Sequence, residues 1–404
     1  MQLHERLGQA AAWMHSNQPA AIDRLQRWCD QNSWSHDQTN LVAMADMLGE
    51  DFAAIGAPLY QARLPSLKLL AADRWQSQPT GPALLWHHRP TAPRRLLLMI
   101  HYDTVYPPGS QPDRCERKGQ QLVGPGTADA KGGIAVIAMA IEAVLRFDLA
   151  PEIGVSVLLN PDEEIGSTAS AEIMSRVAPQ FDASLLFEPS LPNGSLVAAR
   201  KGSGNFCLTA HGKSAHAGRN PEQGRNAIVH LATMVPEIVA FADSNDDLLL
   251  NIGRIEGGGP LNQVPDQASL QLNARVRDDA AMRMVQTKLG EIAERYTRDH
   301  YRVSLVGAFH SPPKQVSPAI ASLQKRVESA GKLAGRKILW QNTGGACDGC
   351  KLAAMGLANI DTMGISGGGL HSPDEFCDLD SLVPAAHTVA AFITEFNTPE
   401  IGKV

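Results

Sequence analysis

The 404-residue chain is predicted to be an α/β protein whose mixed, mostly parallel sheet is interrupted by an inserted α+β unit, and three observations carry that expectation. Apolar, strand-like runs at 95–101, 153–159 and 183–188 alternate with a helical stretch, "KGGIAVIAMAIEAVLRF", as βαβ units of a parallel sheet do. Around Arg200 the pattern changes to a β-α-β-β-α-β order, that of a self-contained split βαβ sandwich, and after "HSPPK" the first pattern returns. The length exceeds the usual ceiling for a single hydrophobic core. The expected division is therefore one domain over 1–200 and 312–404 and a second, inserted one over 201–311.

Taken in order, the first 90 or so residues read as mostly helical. A helix then follows the glycine pair at 132–133. In the insertion "GNFCLTAHG" alternates as a strand does, and "GRNAIVHLATMVPEIVAFAD" reads as a helix. Strand-like runs follow at 248–256 and 267–277, then a helix at 279–298 and a strand at 302–309. The remainder predicts a helix near 318–334, a short strand at "KILW", a helix after "GGACDG", a strand at 358–363 and a final helix from about 380.

Composition narrows the function classes. With 36 basic and 42 acidic residues the formal charge is −6, as in a soluble protein, and no long basic run points to nucleic acid or an anionic membrane. The first residues lack a basic segment followed by a continuous apolar one, and no stretch is long enough to span a bilayer. Six scattered cysteines form no disulfide framework. A cytoplasmic enzyme with a small-molecule substrate is the expectation.

The chemistry concentrates where apolar runs end. "LLLMIHYD" ends in His101 and Asp103, "IGVSVLLNPDEE" in Glu163 and Glu164, "SLLFEP" carries Glu188, and "ANIDTMGISGGGLH" leads to His371, with Asp129 in "GPGTADAKGG". In an open α/β sheet, ligands bind beyond the carboxyl ends of the strands, so residues remote in sequence meet there. Two histidines and several carboxylates at one sheet edge are the donor set of a metal site. Any one of these is commonplace alone: "DEE" suits a helix N-terminus, and His-x-Asp a hydrogen-bonded turn. "GPGTADAKGG" lacks both the Gly-Lys-Ser/Thr ending of a phosphate loop and the dinucleotide glycine spacing.

Together "HYDTVYP", "GPGTADAKGG", "NPDEEIGS", "FEP", "GKSAHAG" and "GGGLHSPDE" resemble the dinuclear-zinc peptidase and deacylase family, which includes glutamate carboxypeptidase, aminoacylase, acetylornithine deacetylase and succinyl-diaminopimelate desuccinylase. The resemblance runs from about residue 95 to the C-terminus. It implies a zinc-peptidase catalytic domain with an inserted ferredoxin-like lid and dimerisation domain. It further implies two Zn2+ per subunit, with Co2+ or Mn2+ as substitutes: Asp129 bridging the ions, His101 and Glu188 on one, Glu164 and His371 on the other. Asp103 matches the carboxylate that orients the His101 imidazole. Glu163 is left as general base, taking the proton from the attacking water and returning it to the leaving amine. His216 matches a histidine that reaches a partner subunit's site to stabilise the oxyanion, and Asn262 and Arg275 match positions that bind the substrate carboxylate. The resemblance also implies a cis peptide between Asp129 and Ala130.

Some positions depart from the family. Its TGG-Gly-Ser/Thr-Asp loop reads "TGGACDG" here, keeping Gly344, Gly345 and Asp348 but placing Ala346 and Cys347 between them. His310 stands near the place where glutamate carboxypeptidase carries an arginine. Cys347 and Cys350 form a C-x-x-C without a second pair or a thioredoxin-like context, and with His211, His230 and His387 they are read as structural. The expected enzyme is a homodimeric metal-dependent hydrolase of a peptide or N-acyl amide bond beside a free α-carboxylate. Carboxypeptidase is the first reading and N-acyl-amino-acid deacylase the second. A third, an inactive metal-stabilised binding protein, predicts a missing ligand or base, and none is missing.

Overall fold

The computed structural model describes residues 3–71 and 74–396, so residues 1, 2, 72, 73 and 397–404 of the expected first domain lie outside it. Its largest sheet has six strands, in the order Tyr60–Ala62, Ala83–His88, Ile153–Asn160, Arg94–His101, Ala183–Leu186, Asn359–Ile360. The inner members run parallel, with Arg94–His101 flanked by Ile153–Asn160 and Ala183–Leu186, while Ala83–His88 joins antiparallel. All eight residues of Ile153–Asn160 are buried, as expected of a strand covered on both faces. The register pairs His101 with Asn160 and Met99 with Leu186, so three adjacent strands end at one level. That level is where the expected ligands stand.

The helix Lys131–Phe147 packs on the sheet, and nearly every residue up to Val144 is buried. Leu3–Asp30 and Leu382–Glu395 pack against it. Its start needs glycine: a Cβ on Gly133 would sit 2.1 Å from the Phe187 carbonyl oxygen, so no other residue lets the helix approach the segment that leads from Ala183–Leu186 to Glu188.

Between Gly202 and Ser311 the chain forms a separate four-stranded antiparallel sheet, ordered Leu248–Gly257, Gln267–Val276, Gly202–His211, Arg302–Ser311. Counted within the insertion, that is strand order 2-3-1-4. Phe206, Leu208, Leu231, Leu272, Val285 and Leu289 belong to its own apolar core. The chain enters and leaves through Arg200 and Lys314, whose backbones pair with each other (Arg200 N to Lys314 O 2.9 Å, Lys314 N to Arg200 O 3.0 Å). Their side chains converge on one buried carboxylate oxygen, Asp361 Oδ2, at 2.9 and 2.7 Å.

Four expectations need correction. The first 90 residues are helical only over Leu3–Asp30 and Gln38–Ala54; the rest holds strands at Tyr60–Ala62, Leu67–Ala71, Arg74–Gln78 and Ala83–His88. The helix expected across "GRNAIVHLATMVPEIVAFAD" is two, Ala227–Ala232 and Val235–Asp243, because Pro236 lacks an N–H and fits only the first turn of a new helix. The strand placed at "KILW" begins at Trp340 and runs to Thr343, where it pairs with Leu196–Arg200. The strand at 358–363 shrinks to Asn359–Ile360, after which Asp361 turns to the two cations. Among the described residues no helix is long and apolar enough to cross a membrane.

Candidate metal centre

His101 ends its strand and is 1% exposed. Its Nε2 lies 3.1 Å from Asp129 Oδ1 and 3.8 Å from Glu188 Oε2. His371 Nε2 lies 3.3 Å from the other Asp129 oxygen and 3.2 Å from Glu164 Oε2. Two donor triads therefore share one carboxylate, each contributing one oxygen of Asp129. Donor atoms of His101, Asp129 and Glu164, drawn from both triads, all fall within 4.8 Å of one another, a spacing at which donors can meet a cation. Glu164 Oε1 is buried with no hydrogen-bond partner among the described residues, a polar atom whose need a metal would meet. The peptide between Asp129 and Ala130 is cis, as expected.

The electrostatics point the same way. Burial opposes charge on Asp129, yet His101 and His371 outweigh it and hold the carboxyl well below its usual range. Hydrogen bonds to Asp129 and Glu164 raise His371 to about 10. At His101 burial works against a proton, and Asp103, Asp129 and Glu188 overcome it. Glu164 is pushed up to about 7 by burial and by Asp129. Burial and the nearby Glu188 likewise push Glu163 up. Carboxylates crowded in this way favour whatever cation is offered, a proton or a metal ion.

Asp103, fully buried, underpins the arrangement. Its Oδ1 lies 3.2 Å from His101 Nδ1 and accepts from the Glu163 backbone N–H at 3.1 Å, while Oδ2 accepts from the Glu164 N–H at 3.3 Å and from the Ser35 hydroxyl at 2.7 Å. One side chain thus orients an imidazole and fixes the turn that carries both glutamates. Ser35 carried no sequence signal.

The centre opens into a cavity of about 1120 Å³ lined by Glu163, Glu164 and His371 on one side and by the inserted sheet on the other. Arg275 projects into it, its Nη1 donating to the Gly344 carbonyl at 3.2 Å, and Arg200 donates to the Gly345 carbonyl at 3.1 Å. His310 lines the wall; burial, Lys351 and Arg275 lower it to about 4, so its imidazole is neutral at neutral pH. Lys351, also missed in the sequence, is buried on the same wall and bonds Asp348 at 2.8 Å and the Ser167 hydroxyl at 3.2 Å. His216 and Asn262 stand together elsewhere. Ala217 N donates to the Asn262 carbonyl at 2.9 Å, His216 is bridged to Gln263, and neither lines the cavity. Arg275 and Asn262, expected to act together, therefore do not share this cavity.

The remaining singled-out side chains sit in packed surroundings. His230 donates to the Tyr296 carbonyl at 2.7 Å and stacks on Tyr301. Cys347 and Cys350 are buried at the start of the helix Asp348–Ala354, and a hydrogen bond with Cys347 brings Cys350 down to about 6.

The sequence matches peptidase family M20/M25/M40 over residues 97–395. It is 29% identical over 394 residues to carboxypeptidase G2 of Pseudomonas sp. (strain RS-16), covering 94% of this chain and 89% of the relative. It is 26% identical over 381 residues to succinyl-diaminopimelate desuccinylase of Methylocella silvestris, covering 88% and 94%. The fold superposes on the dipeptidase Dug1p of Saccharomyces cerevisiae with a TM-score of 0.75 at 15% identity, covering 98% of this chain and 99% of that one.

Proposed function

The chain belongs to peptidase family M20/M25/M40, a metal-dependent hydrolase of peptide or N-acyl bonds, and from that membership we propose a homodimeric dinuclear-zinc carboxypeptidase whose substrate bears a free α-carboxylate beside the scissile bond. The observation that carries this reading is the pair of donor triads meeting on the two oxygens of Asp129. His101 and Glu188 would hold one ion, His371 and Glu164 the other, with Asp129 between. Two histidines and three carboxylates form a nitrogen and oxygen donor set that zinc accepts. The ions would supply Lewis acidity toward the scissile carbonyl and lower the pKa of the attacking water.

The chain's own groups account for the rest. Glu163, unassigned as a ligand and lining the cavity, takes the water's proton and passes it to the leaving amine. Arg275 binds the α-carboxylate with its planar fork, backed by the Gly344–Gly345 loop that its own and Arg200's hydrogen bonds hold. His216 and Asn262 serve the partner's cavity. Their separation from their own chain's cavity supports that, as does the edge strand Leu248–Gly257, where Leu249 and Ile255 are exposed and unpaired backbone faces outward. The desuccinylase relative supports N-acyl-amino-acid deacylase as the second reading.

The test is hydrolysis of a pool of dipeptides and N-acyl amino acids by the zinc-loaded, chelator-stripped and reloaded protein. Cleavage should require the free α-carboxylate, disappear on stripping and return with zinc. Failure of every zinc-loaded preparation to cleave either class, with the chain folded, would sink the reading.

A further inference from the structure

Glu375 has no part in the roles above, yet it is 1% exposed and fully engaged. Its Oε1 accepts from two successive backbone N–H groups, Ala128 and Asp129, each at 3.0 Å. Its Oε2 accepts from the Tyr106 hydroxyl at 2.6 Å, and that hydroxyl also lies 3.0 Å from the Ser372 carbonyl oxygen. The Glu375 carbonyl in turn accepts from Gly124 N at 2.8 Å.

These contacts join three loops. Tyr106 lies five residues beyond His101, Ala128 and Asp129 end the glycine-rich loop, and Ser372 and Glu375 belong to the turn that presents His371. Two of the loops pass through positive φ. The glycine-rich one passes through positive φ at Gly124 and Gly126, and His371 itself has φ 59°, a left-handed conformation costly for a side chain with a Cβ. The two N–H groups that Glu375 holds include that of Asp129 itself. A shift there would move both carboxylate oxygens away from both histidines.

We propose that Glu375, braced by Tyr106, is a positioning residue that holds Asp129 and His371 in mutual register and so sets the site's affinity for metal without touching it. The inference rests on the dinuclear reading, and zinc binding by the wild-type chain tests that reading separately. What matters in this account is an acceptor oxygen at Oε1, so glutamine should serve and alanine should not.

The experiment measures zinc stoichiometry and affinity by chelator competition for wild type, Glu375→Ala, Glu375→Gln and Tyr106→Phe, with thermal unfolding of each zinc-free protein alongside. Glu375→Ala is expected to weaken zinc binding about 10–100-fold, the usual effect of losing a group that supports a ligand. Glu375→Gln should recover most of that loss. Tyr106→Phe, which deletes only one hydroxyl, should cost about five-fold, one hydrogen bond's worth. Wild-type zinc affinity in Glu375→Ala, or in Tyr106→Phe should the alanine variant not fold, overturns the proposal whatever the change in melting temperature. Equal losses in Gln and Ala overturn it too, because the acceptor would then not be the cause.

Discussion

Glu163 and Glu164 share one turn and one backbone anchor, Asp103, so a difference between them must come from where their side chains point. Glu164 meets His371, whereas Glu163 lines the cavity and, among the described residues, pairs with no histidine. Glu163→Ala is therefore expected to cut turnover about 10²–10⁴-fold with metal content unchanged, and Glu164→Ala to lose one metal ion. Metal analysis beside steady-state kinetics checks both, and equal metal loss in the two variants would contradict the division of labour. His310 yields a pH prediction. Its folded pKa of about 4 lies below the ordinary 6.5, so its neutral form stabilises the fold fully above pH 6.5 and progressively less as pH falls toward 4. Relative to His310→Gln, wild type should lose up to about 3 kcal/mol across that window; parallel denaturation curves would refute it. At this scale the sequence was most legible where a side chain is rare in its context. Histidine and paired glutamates at the ends of apolar runs stand out, but a serine such as Ser35 or a helical lysine such as Lys351 looks like any other until tertiary contacts single it out.

Among the elements, the buried parallel strands were readable because both faces are covered and the apolar run is continuous. The hairpin Leu67–Ala71 with Arg74–Gln78 was not, since Arg74, Trp75, Gln76 and Ser77 are exposed and no face alternates. Strands as short as Asn359–Ile360 owe their pairing to the neighbouring strand and leave no periodicity. The edge strand Leu248–Gly257 bears on assembly. Ile255 and Leu249 are exposed there, and Ile228 lies against the end of the same strand beside Gly258. If this edge pairs with its copy, a lysine at its exposed apolar position should block association, as charged edges do elsewhere. Ile255→Lys is expected to sediment as a monomer and to lose about 10²–10³ in turnover with the partner's oxyanion donor. A variant that stays dimeric and fully active would remove this edge from consideration.

For the molecule as a whole, the sequence revealed the insertion through a change of pattern at Arg200, but not the joint itself. Arg200 and Lys314 are buried on a single carboxylate, Asp361, and nothing local marks them as partners. The resemblance already placed His216 in a partner's site, but did not show that Asn262 stands apart with it while Arg275 lines the cavity. That separation is what a shared site requires, and it can be tested without a structure of the assembly. In the proposed two-fold dimer each site would take Glu163 from one chain and His216 from the other. A heterodimer of Glu163→Ala and His216→Ala then has one site with both lesions and one with neither. Two nearly inactive proteins, mixed in equal amounts and allowed to exchange subunits, should recover about a quarter of wild-type activity, since half the dimers are mixed and each carries one intact site. Exchange is verified independently with differently tagged chains. Recovery near that fraction is expected; exchanged, folded dimers that remain as inactive as their parents would place His216 in service of its own chain or outside the reaction.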